Sequence, residues 1–163
     1  MAILLCRVDD RLIHGQVVVG WGAQLGLDFI AVVDDELSQS EWEQDLYRAG
    51  LPEDIDARFV DVEKAADLIP KWAANAERGF VLTRDLATMR SLAEQGVLDD
   101  IEINLGGLHD TPGRRRVLPY LFLGVEDREE LDRLRRTRAA VSAQDVPSAR
   151  KIGLEELLEL RSK

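Results

Sequence analysis

The sequence has little of the chemistry that disulfide-stabilised, redox and most metal-binding proteins use. Among its 163 residues are one cysteine, Cys6, and two histidines, His14 and His109. A single cysteine cannot form an internal disulfide, and a cysteine-rich metal cluster is excluded. We therefore expect no bound metal and no cofactor, and any imidazole chemistry must come from these two histidines.

Long apolar runs and an excess of positive charge are also missing. No run approaches the roughly 18 apolar residues of a membrane span, and the first twelve residues lack the pattern of a signal peptide. The formal net charge is −10 and the sequence pI is near 4.7. This balance argues against coating nucleic acid and against electrostatic attachment to an anionic membrane. We expect a soluble cytoplasmic protein that binds neither nucleic acid nor lipid directly.

The length and the apolar content indicate a single domain over residues 1–163. Hydrophobic residues make up 45% of the chain, which is enough to build a sizeable core. The sequence contains no internal repeat, no low-complexity tract and no linker long enough to divide it. The longest irregular stretch is 106–116, and loops of that length in compact domains are often functional.

Short apolar runs alternate with amphipathic stretches along the whole chain. The runs are rich in Val, Ile and Leu without strict alternation, which is typical of strands covered by helices on both faces. The sequence therefore predicts an α/β fold, with an open, mostly parallel central sheet of about seven strands and helices on both faces. The predicted strands are 2–8, 29–33, 58–62, 80–83, 101–105, 120–123 and 139–145, and the predicted helices are 16–25, 41–50, 62–74, 86–95, 126–136 and 153–160.

The most informative segment is RVDDRLIHGQV at 7–17, which leaves the first predicted strand and enters the first predicted helix. In open parallel sheets, ligand sites form outside the carboxyl ends of the strands. Arg7 and Arg11 supply planar donors that match phosphate oxygens. A helix that begins near Gly15 directs free N–H groups at the same place. These residues predict an anion site.

Two interpretations of His14 follow from this setting. An imidazole beside arginines and a helix start fits a nucleophile that accepts a phosphoryl group, because nearby cations favour its neutral form with a free lone pair. The alternative is a histidine that only packs at a capped helix start within a solvated charge cluster. Asp10 has two interpretations as well: it orients the loop or Arg11, or it initiates a turn by bonding its own backbone.

Further candidates follow the fourth and fifth predicted strands. Thr83 and Arg84 either line the site or, for Thr83, cap the next helix. Gly106 and Gly107 are expected to form a tight turn near the site. His109, in the glycine-rich loop at the same sheet edge, is either a second phosphate contact or a surface histidine.

Charge is unevenly distributed along the chain. Residues 34–67 carry twelve acidic and three basic side chains, whereas residues 109–138 carry six acidic and eight basic ones. The basic stretch includes Arg114, Arg115 and Arg116, which either face an incoming phosphorylated partner or are simply solvated. A local positive rim steers anionic partners even on a negative protein.

Three segments carry a resemblance to a known family: VDDRLIHGQVVVGWG, IAVVDDE at 30–36 and INLGGLH at 103–109. Together they resemble the enzyme IIB component of the mannose/fructose/sorbose-type bacterial phosphotransferase system. The resemblance implies an open α/β fold in which His14 receives a phosphoryl group from a histidine of the IIA partner. His14 then passes the group to a sugar bound by the membrane components IIC and IID. It further implies that Nδ1 of His14 is phosphorylated and that Arg11 contacts the phosphoryl group.

The loop GGLHDTPGRRRVLPY departs from the pattern of sugar-transporting members, in which a shorter apolar and basic loop follows the two glycines. A regulatory module, in which phosphorylation of His14 switches partner affinity without sugar transport, therefore remains as an alternative. A metal-dependent hydrolase that uses His14, His109 and aspartates is disfavoured, because the two histidines lack a close ligand spacing such as HxxxH.

Overall fold

The computed structural model describes residues 2–160, which fold around one seven-stranded sheet in the order β3-β2-β4-β1-β5-β8-β9. Neighbouring strands are parallel except β9, which runs antiparallel to β8 at one edge. The strands are β1 (Ile3–Asp9), β2 (Phe29–Val33), β3 (Asp56–Val60), β4 (Gly79–Thr83), β5 (Glu102–Gly107), β6 (Arg115–Leu118), β7 (Leu121–Leu123), β8 (Ala140–Ala143) and β9 (Ile152–Gly153).

Helices cover both faces of this sheet. The first is a π-helix, Gln16–Gly22, that continues as α1 (Ala23–Leu25), and a short 3-10 turn follows at Leu37–Gln39. None of the helices in the described part of the chain is long and apolar enough to cross a membrane. The remaining helices are α2 (Glu41–Ala49), α3 (Val62–Ala73), α4 (Leu86–Glu94), α5 (Val125–Arg135) and α6 (Leu154–Glu159).

Two apolar clusters, one on each face, explain why the strand sequences are continuously hydrophobic. Along β2, Phe29, Ala31 and Val33 join the cluster under α3 and α4, whereas Ile30 and Val32 join the cluster under the π-helix and α2. Side chains of a strand alternate between faces, so a strand that is covered on both sides is apolar throughout. The predicted α/β class and mostly parallel sheet with helices on both faces are confirmed.

The predicted strand 120–123 lies outside the main sheet, so its assignment to that sheet is wrong. β7 pairs antiparallel with β6 and forms a separate two-stranded hairpin. Leu121 and Leu123 are buried against the cluster under α4 and α5. This burial explains why the segment has the apolar pattern of a strand although it does not pair with any strand of the main sheet. The seventh strand of the sheet is β9 instead.

Two further predicted boundaries move. The loop predicted over 106–116 contains the start of β6, because its last two residues, Arg115 and Arg116, pair with residues of β7. It also contains the end of β5: the prediction that Gly106 and Gly107 form a tight turn is wrong, because both continue β5 and Gly107 is paired with Asp9 of β1. The helix predicted from residue 153 begins at Leu154, because Gly153 belongs to β9 and is paired there with Ser142 of β8. Met1 and residues 161–163, which the single predicted domain includes, lie outside the described residues.

Candidate functional site

The carboxylate of Asp9, the last residue of β1, lies at the centre of a buried charge cluster. It accepts hydrogen bonds from Nη2 of Arg7 at 2.9 Å and from Nε, Nη2 and the backbone N–H of Arg11 at 3.0, 2.9 and 3.1 Å. Burial by itself raises the pKa of Asp9, but the hydrogen bonds from Arg11 and the charge of Arg7 outweigh it and lower the pKa. Asp9 is therefore ionised at neutral pH.

Arg7 holds Asp9 from the interior of the protein. Its side chain is fully buried, and Nη1 donates to Oδ1 of Asn104 at 2.7 Å and to the backbone carbonyl of Gln144 at 3.2 Å. The guanidinium lies against Gly106, where a Cβ atom would overlap it. Arg7 and Gly106 thus lie behind the carboxylate, where they support Asp9 and are closed off from solvent.

Arg11 carries the positive charge of this cluster to the surface. Its guanidinium is held by Asp9 and also donates to Oε1 of Gln16 at 3.0 Å, yet 43% of the side chain remains exposed. Gly107 leaves room for this contact, because a Cβ atom there would lie 3.1 Å from Nη2 of Arg11 and 3.2 Å from the Asp9 carboxylate. The cluster has two cations and one anion, so its net charge favours an anionic ligand.

His14 lies next to Asp9, in the loop that enters the π-helix. The backbone of Leu12 has a φ of 57° in the left-handed region, and its N–H donates to the carbonyl of Asp9 at 2.9 Å to form a tight turn. Nδ1 of His14 donates to the carbonyl oxygen of Leu12 at 2.8 Å. Nε2 lies 3.7 Å from Oδ2 of Asp9, is buried, and has no hydrogen-bond partner within residues 2–160.

The hydrogen bond to Leu12 defines the tautomer of the neutral imidazole. Because a carbonyl oxygen only accepts, Nδ1 must carry a proton, and in the neutral ring Nε2 then holds the free lone pair. The side chain is 18% exposed. Gly15, the following residue, caps the π-helix without a side chain and has open space where a Cβ atom would lie.

Asp10 contacts the loop that follows β5. Its Oδ2 accepts from the backbone N–H of His109 at 2.9 Å and contacts the His109 ring at Nδ1. Arg114 approaches the same carboxylate at 3.8 Å and is bonded to Asp127 at 2.9 Å. We call Asp10, His109 and Arg114 the loop latch, since they join the His14 loop to the 109–116 segment.

A cavity of about 250 Å³ opens between these two segments. Arg11 and the latch residues Asp10 and His109 line its polar side, and Tyr120 and Phe122 line its apolar side. Burial raises the pKa of Tyr120 to about 12, so its hydroxyl stays protonated at neutral pH. Arg115 and Arg116 lie exposed on the adjacent strand β6.

The remaining sequence candidates lie at the same sheet edge but make other contacts. Thr83 is buried and donates its hydroxyl to the carbonyl of Asp85 at 3.0 Å. Arg84 is paired with Asp34 at the end of β2. Within residues 2–160, neither side chain is hydrogen-bonded to His14.

Cys6 is buried in β1, and burial raises the pKa of its thiol. The thiol is therefore neutral and unreactive. Within residues 2–160 no group of three or more His, Cys, Asp and Glu residues is placed to hold a metal ion. The metal-hydrolase alternative therefore gains no support from the residues that the structure describes.

The role of Asp9 is the main feature that sequence reasoning missed, because it assigned the supporting aspartate to position 10. The predicted first strand ended at Val8, whereas β1 continues through Asp9. Residues two apart on a strand share a face, so Arg7 and Asp9 point the same way and Asp10 points to the other side. The alternation of Arg7, Asp9 and Arg11 was the signal that would have found the cluster.

Comparison with known proteins shows the family to which this chain belongs. The model of the PTS system sorbose subfamily IIB component matches residues 3–163. The N-acetylgalactosamine-specific phosphotransferase enzyme IIB component 1 of Escherichia coli K12 is 32% identical over 91% of this chain and 94% of its own length. The sorbose-specific EIIB component of Klebsiella pneumoniae is 30% identical over 82% of this chain and 83% of its own length.

Solved structures share the fold over almost the whole chain. The crystal structure of the IIBSor domain of the sorbose permease from Klebsiella pneumoniae superposes with a TM-score of 0.86, at 26% identity over 98% of both chains. The N-acetylgalactosamine-specific IIB component 1 from Escherichia coli superposes with a TM-score of 0.84, at 32% identity over 92% of this chain and 97% of that one.

Together, the fold and these similarities define a component of a sugar phosphotransferase system. The chain belongs to the sorbose subfamily of IIB components. Proteins of this family are phosphotransferases that act in sugar uptake.

Proposed function

We propose that this protein accepts a phosphoryl group on His14 from a histidine of a IIA partner and passes it to a sugar during uptake. The observation that carries the proposal is the position of His14, whose Nε2 lies 3.7 Å from the carboxylate that clamps Arg11. A nucleophile, a partly exposed cation and a helix start thus meet in one loop. The mannose-specific EIIAB component of Escherichia coli K12, 29% identical over 97% of this chain and 49% of its own length, supports a IIA donor.

The proposed transfer needs no metal ion. The lone pair of a neutral His14 nitrogen forms a bond to phosphorus while the bond from phosphorus to the donor imidazole breaks. Charge in such a loose transition state lies on the three equatorial oxygens, so positioning and electrostatic stabilisation supply the catalysis. Arg11 stabilises these oxygens, Asp9 fixes the direction of its guanidinium, and Arg7 keeps the local charge positive.

The orientation of the His14 ring determines which of its nitrogens can accept the phosphoryl group. In the resting state Nδ1 carries the proton and bonds to Leu12. Acceptance at Nδ1, which the family resemblance implies, requires the ring to leave Leu12 and exchange its proton through water to Nε2. The Nε2–H then faces Asp9, whose carboxylate balances the positive charge of the phosphorylated imidazole.

A regulatory role at the same site is the second candidate. The loop latch connects Asp10 with His109 and Arg114 on the segment that departs from the family pattern. A phosphoryl group on His14 adds negative charge in the same loop as Asp10 and competes with Asp10 for the cations of this basic segment. Phosphorylation then switches partner binding without sugar transport.

Intact mass spectrometry tests the proposal. Wild-type protein, His14→Ala and His109→Ala are incubated with a phosphoenolpyruvate-driven relay that ends in the IIA partner. We expect wild type and His109→Ala to gain one acid-labile, alkali-stable phosphoryl group and His14→Ala to gain none. Equal labelling of His14→Ala would refute the proposal. Addition of sugars and membranes then separates the two candidates, because only the transport role discharges the label onto a sugar.

A further inference from the structure

An exposed apolar patch lies beside the loop that carries His14. Trp42 and Leu46, on α2, are 68% and 65% exposed. With Ile13 and Tyr47 they line a groove of about 450 Å³. We call these four residues the α2 patch. Ile13 directly precedes His14, so the patch and the candidate site share one stretch of backbone.

The core beneath α2 includes Ile13 but neither Trp42 nor Leu46. Gln44 is the buried residue of the helix, and its amide donates to the carbonyl of Leu37 at 2.8 Å. Tyr47 packs against the apolar cluster under the π-helix, whereas Trp42 and Leu46 stand four residues apart on the outer face. Neighbouring large apolar side chains that remain this exposed mark an interaction surface.

The surroundings of the α2 patch are acidic. Residues 41–54 contain five acidic side chains and one basic one, and Arg48, the single base, is paired with Asp45 at 3.2 Å. An apolar centre with an acidic rim complements a partner that presents apolar residues between lysines and arginines. The open face of the Trp42 indole also favours a cation.

We propose that the α2 patch docks the cytoplasmic loops of the membrane components IIC and IID, which take the phosphoryl group from His14; this inference rests on the proposed function. Cytoplasmic loops of membrane proteins carry an excess of lysine and arginine, which matches the acidic rim. A phosphorylated IIA donor brings negative charge, which the acidic rim repels and the exposed Arg115 and Arg116 attract. The two partners of His14 thus approach from different sides.

Four variants test this assignment. Trp42→Ala combined with Leu46→Ala removes the apolar centre, and Val125→Ala, 74% exposed on α5, is its matched control. Glu41→Lys reverses one rim charge, with the exposed Glu129→Lys on α5 as control. Each protein is phosphorylated by IIA and followed by intact mass. It is then mixed with inside-out vesicles that carry IIC and IID of the same genome, or with vesicles that lack them.

We expect the double variant to lose about tenfold or more in co-sedimentation with IIC–IID vesicles and in sugar phosphorylation, since exposed tryptophans are frequent hot spots. The rate at which the double variant accepts the phosphoryl group from IIA should stay within about twofold of the wild-type rate. Glu41→Lys should weaken vesicle binding, added salt should weaken wild-type binding, and both controls should behave as wild type.

Three results would overturn the docking assignment: unchanged vesicle binding, a loss of acceptance from IIA instead, or equal binding to vesicles without IIC and IID. Two further findings would also contradict it. If wild type is a dimer and the double variant is a monomer, the patch binds a second copy of this chain. If the genome encodes no IIC and IID, the proposed partners do not exist. If wild type is never phosphorylated but patch-dependent binding to IIC–IID vesicles persists, the proposed function fails and the docking assignment stands.

Discussion

Arg7 and Asp9 form a fully buried ion pair at the carboxyl end of β1, with 2.9 Å between Nη2 and Oδ2. Removing two charges from water is costly, so a buried pair is weak evidence for a gain in stability. Here the pair has a positional consequence, because the same carboxylate fixes the partly exposed Arg11. The buried pair therefore connects the interior of the sheet to the candidate phosphoryl site.

Replacing Gly106 with alanine should displace Arg7, because the new Cβ atom would overlap a guanidinium that Asp9, Asn104 and Gln144 hold in place. We expect a loss of about 1–3 kcal/mol in the free energy of unfolding, as for other overpacked interiors. Urea denaturation measures it. Gly153→Ala, where a Cβ atom meets open space, is the control and should be close to neutral. Equal stability of the two variants would refute the packing role of Gly106.

Asp9→Asn should change the acid dependence of stability. The pKa of Asp9 is lowered in the folded protein from an ordinary value of 3.8. Its ionised form therefore contributes fully above about pH 4, and that contribution is lost as pH falls from there through the lower folded value. We expect Asp9→Asn to be less stable by about 3–5 kcal/mol at pH 7, because two arginines lose their carboxylate.

Urea denaturation at pH 7 and below pH 4 gives both parts of the Asp9 prediction. The difference between wild type and Asp9→Asn should shrink as the pH falls. Asp110→Asn, in an exposed loop, serves as the control and should follow wild type at both pH values. A difference between Asp9→Asn and wild type that stays constant with pH would show that ionisation of Asp9 is not what stabilises the cluster.

Arg11→Ala should fold and yet accept phosphate slowly. The side chain is 43% exposed, and Asp9 keeps Arg7 as a partner. Loss of one donor to the transferring group typically slows a reaction by about 10²–10³-fold. Single-turnover transfer from phosphorylated IIA gives the rate, with Arg138→Ala, whose side chain is 74% exposed, as the control. An unchanged rate would remove Arg11 from the site.

His109→Ala should loosen the 109–116 segment without abolishing phosphorylation of His14. Asp10 accepts from the backbone and contacts the ring of His109, so truncation removes only the ring contact. Hydrogen exchange over 109–116 should become faster. Because Asp10→Ala acts on the same latch, the double variant should exchange little faster than Asp10→Ala alone. Additive effects, or no effect, would contradict the latch.

Most of the architecture was predictable from local patterns, and the misplaced parts have physical reasons. The continuous apolar run of β2, Phe29–Val33, identified a strand buried on both faces. Tyr120 to Leu123 has the same apolar character, but β7 pairs with the neighbouring β6 in a hairpin and with no strand of the main sheet. A local apolar pattern does not specify which strand will be the pairing partner. The two-residue strand Ile152–Gly153 is too short to produce any pattern of its own.

The sequence was sufficient to predict which loop carries the candidate site, but not the contacts among its side chains. His14 and Arg11 follow from the segment at the end of β1, whereas the choice between Asp9 and Asp10 depends on the residue at which the strand ends. The burial of Arg7 depends on Asn104, Gly106 and Gln144, which lie about a hundred residues or more further along the chain. Their convergence is a product of the parallel sheet.

The most direct test of the account is the identity of the phosphorylated nitrogen. A chain with two histidines, labelled with ¹⁵N in the imidazole rings, is phosphorylated by IIA and observed by NMR. We predict a phosphorus coupling at Nδ1 of His14, a proton on its Nε2, and no coupling at either nitrogen of His109. Phosphorus at Nε2 of His14 would contradict the assignment to Nδ1, and phosphorus bound to His109, or to no imidazole nitrogen, would contradict the assignment to His14.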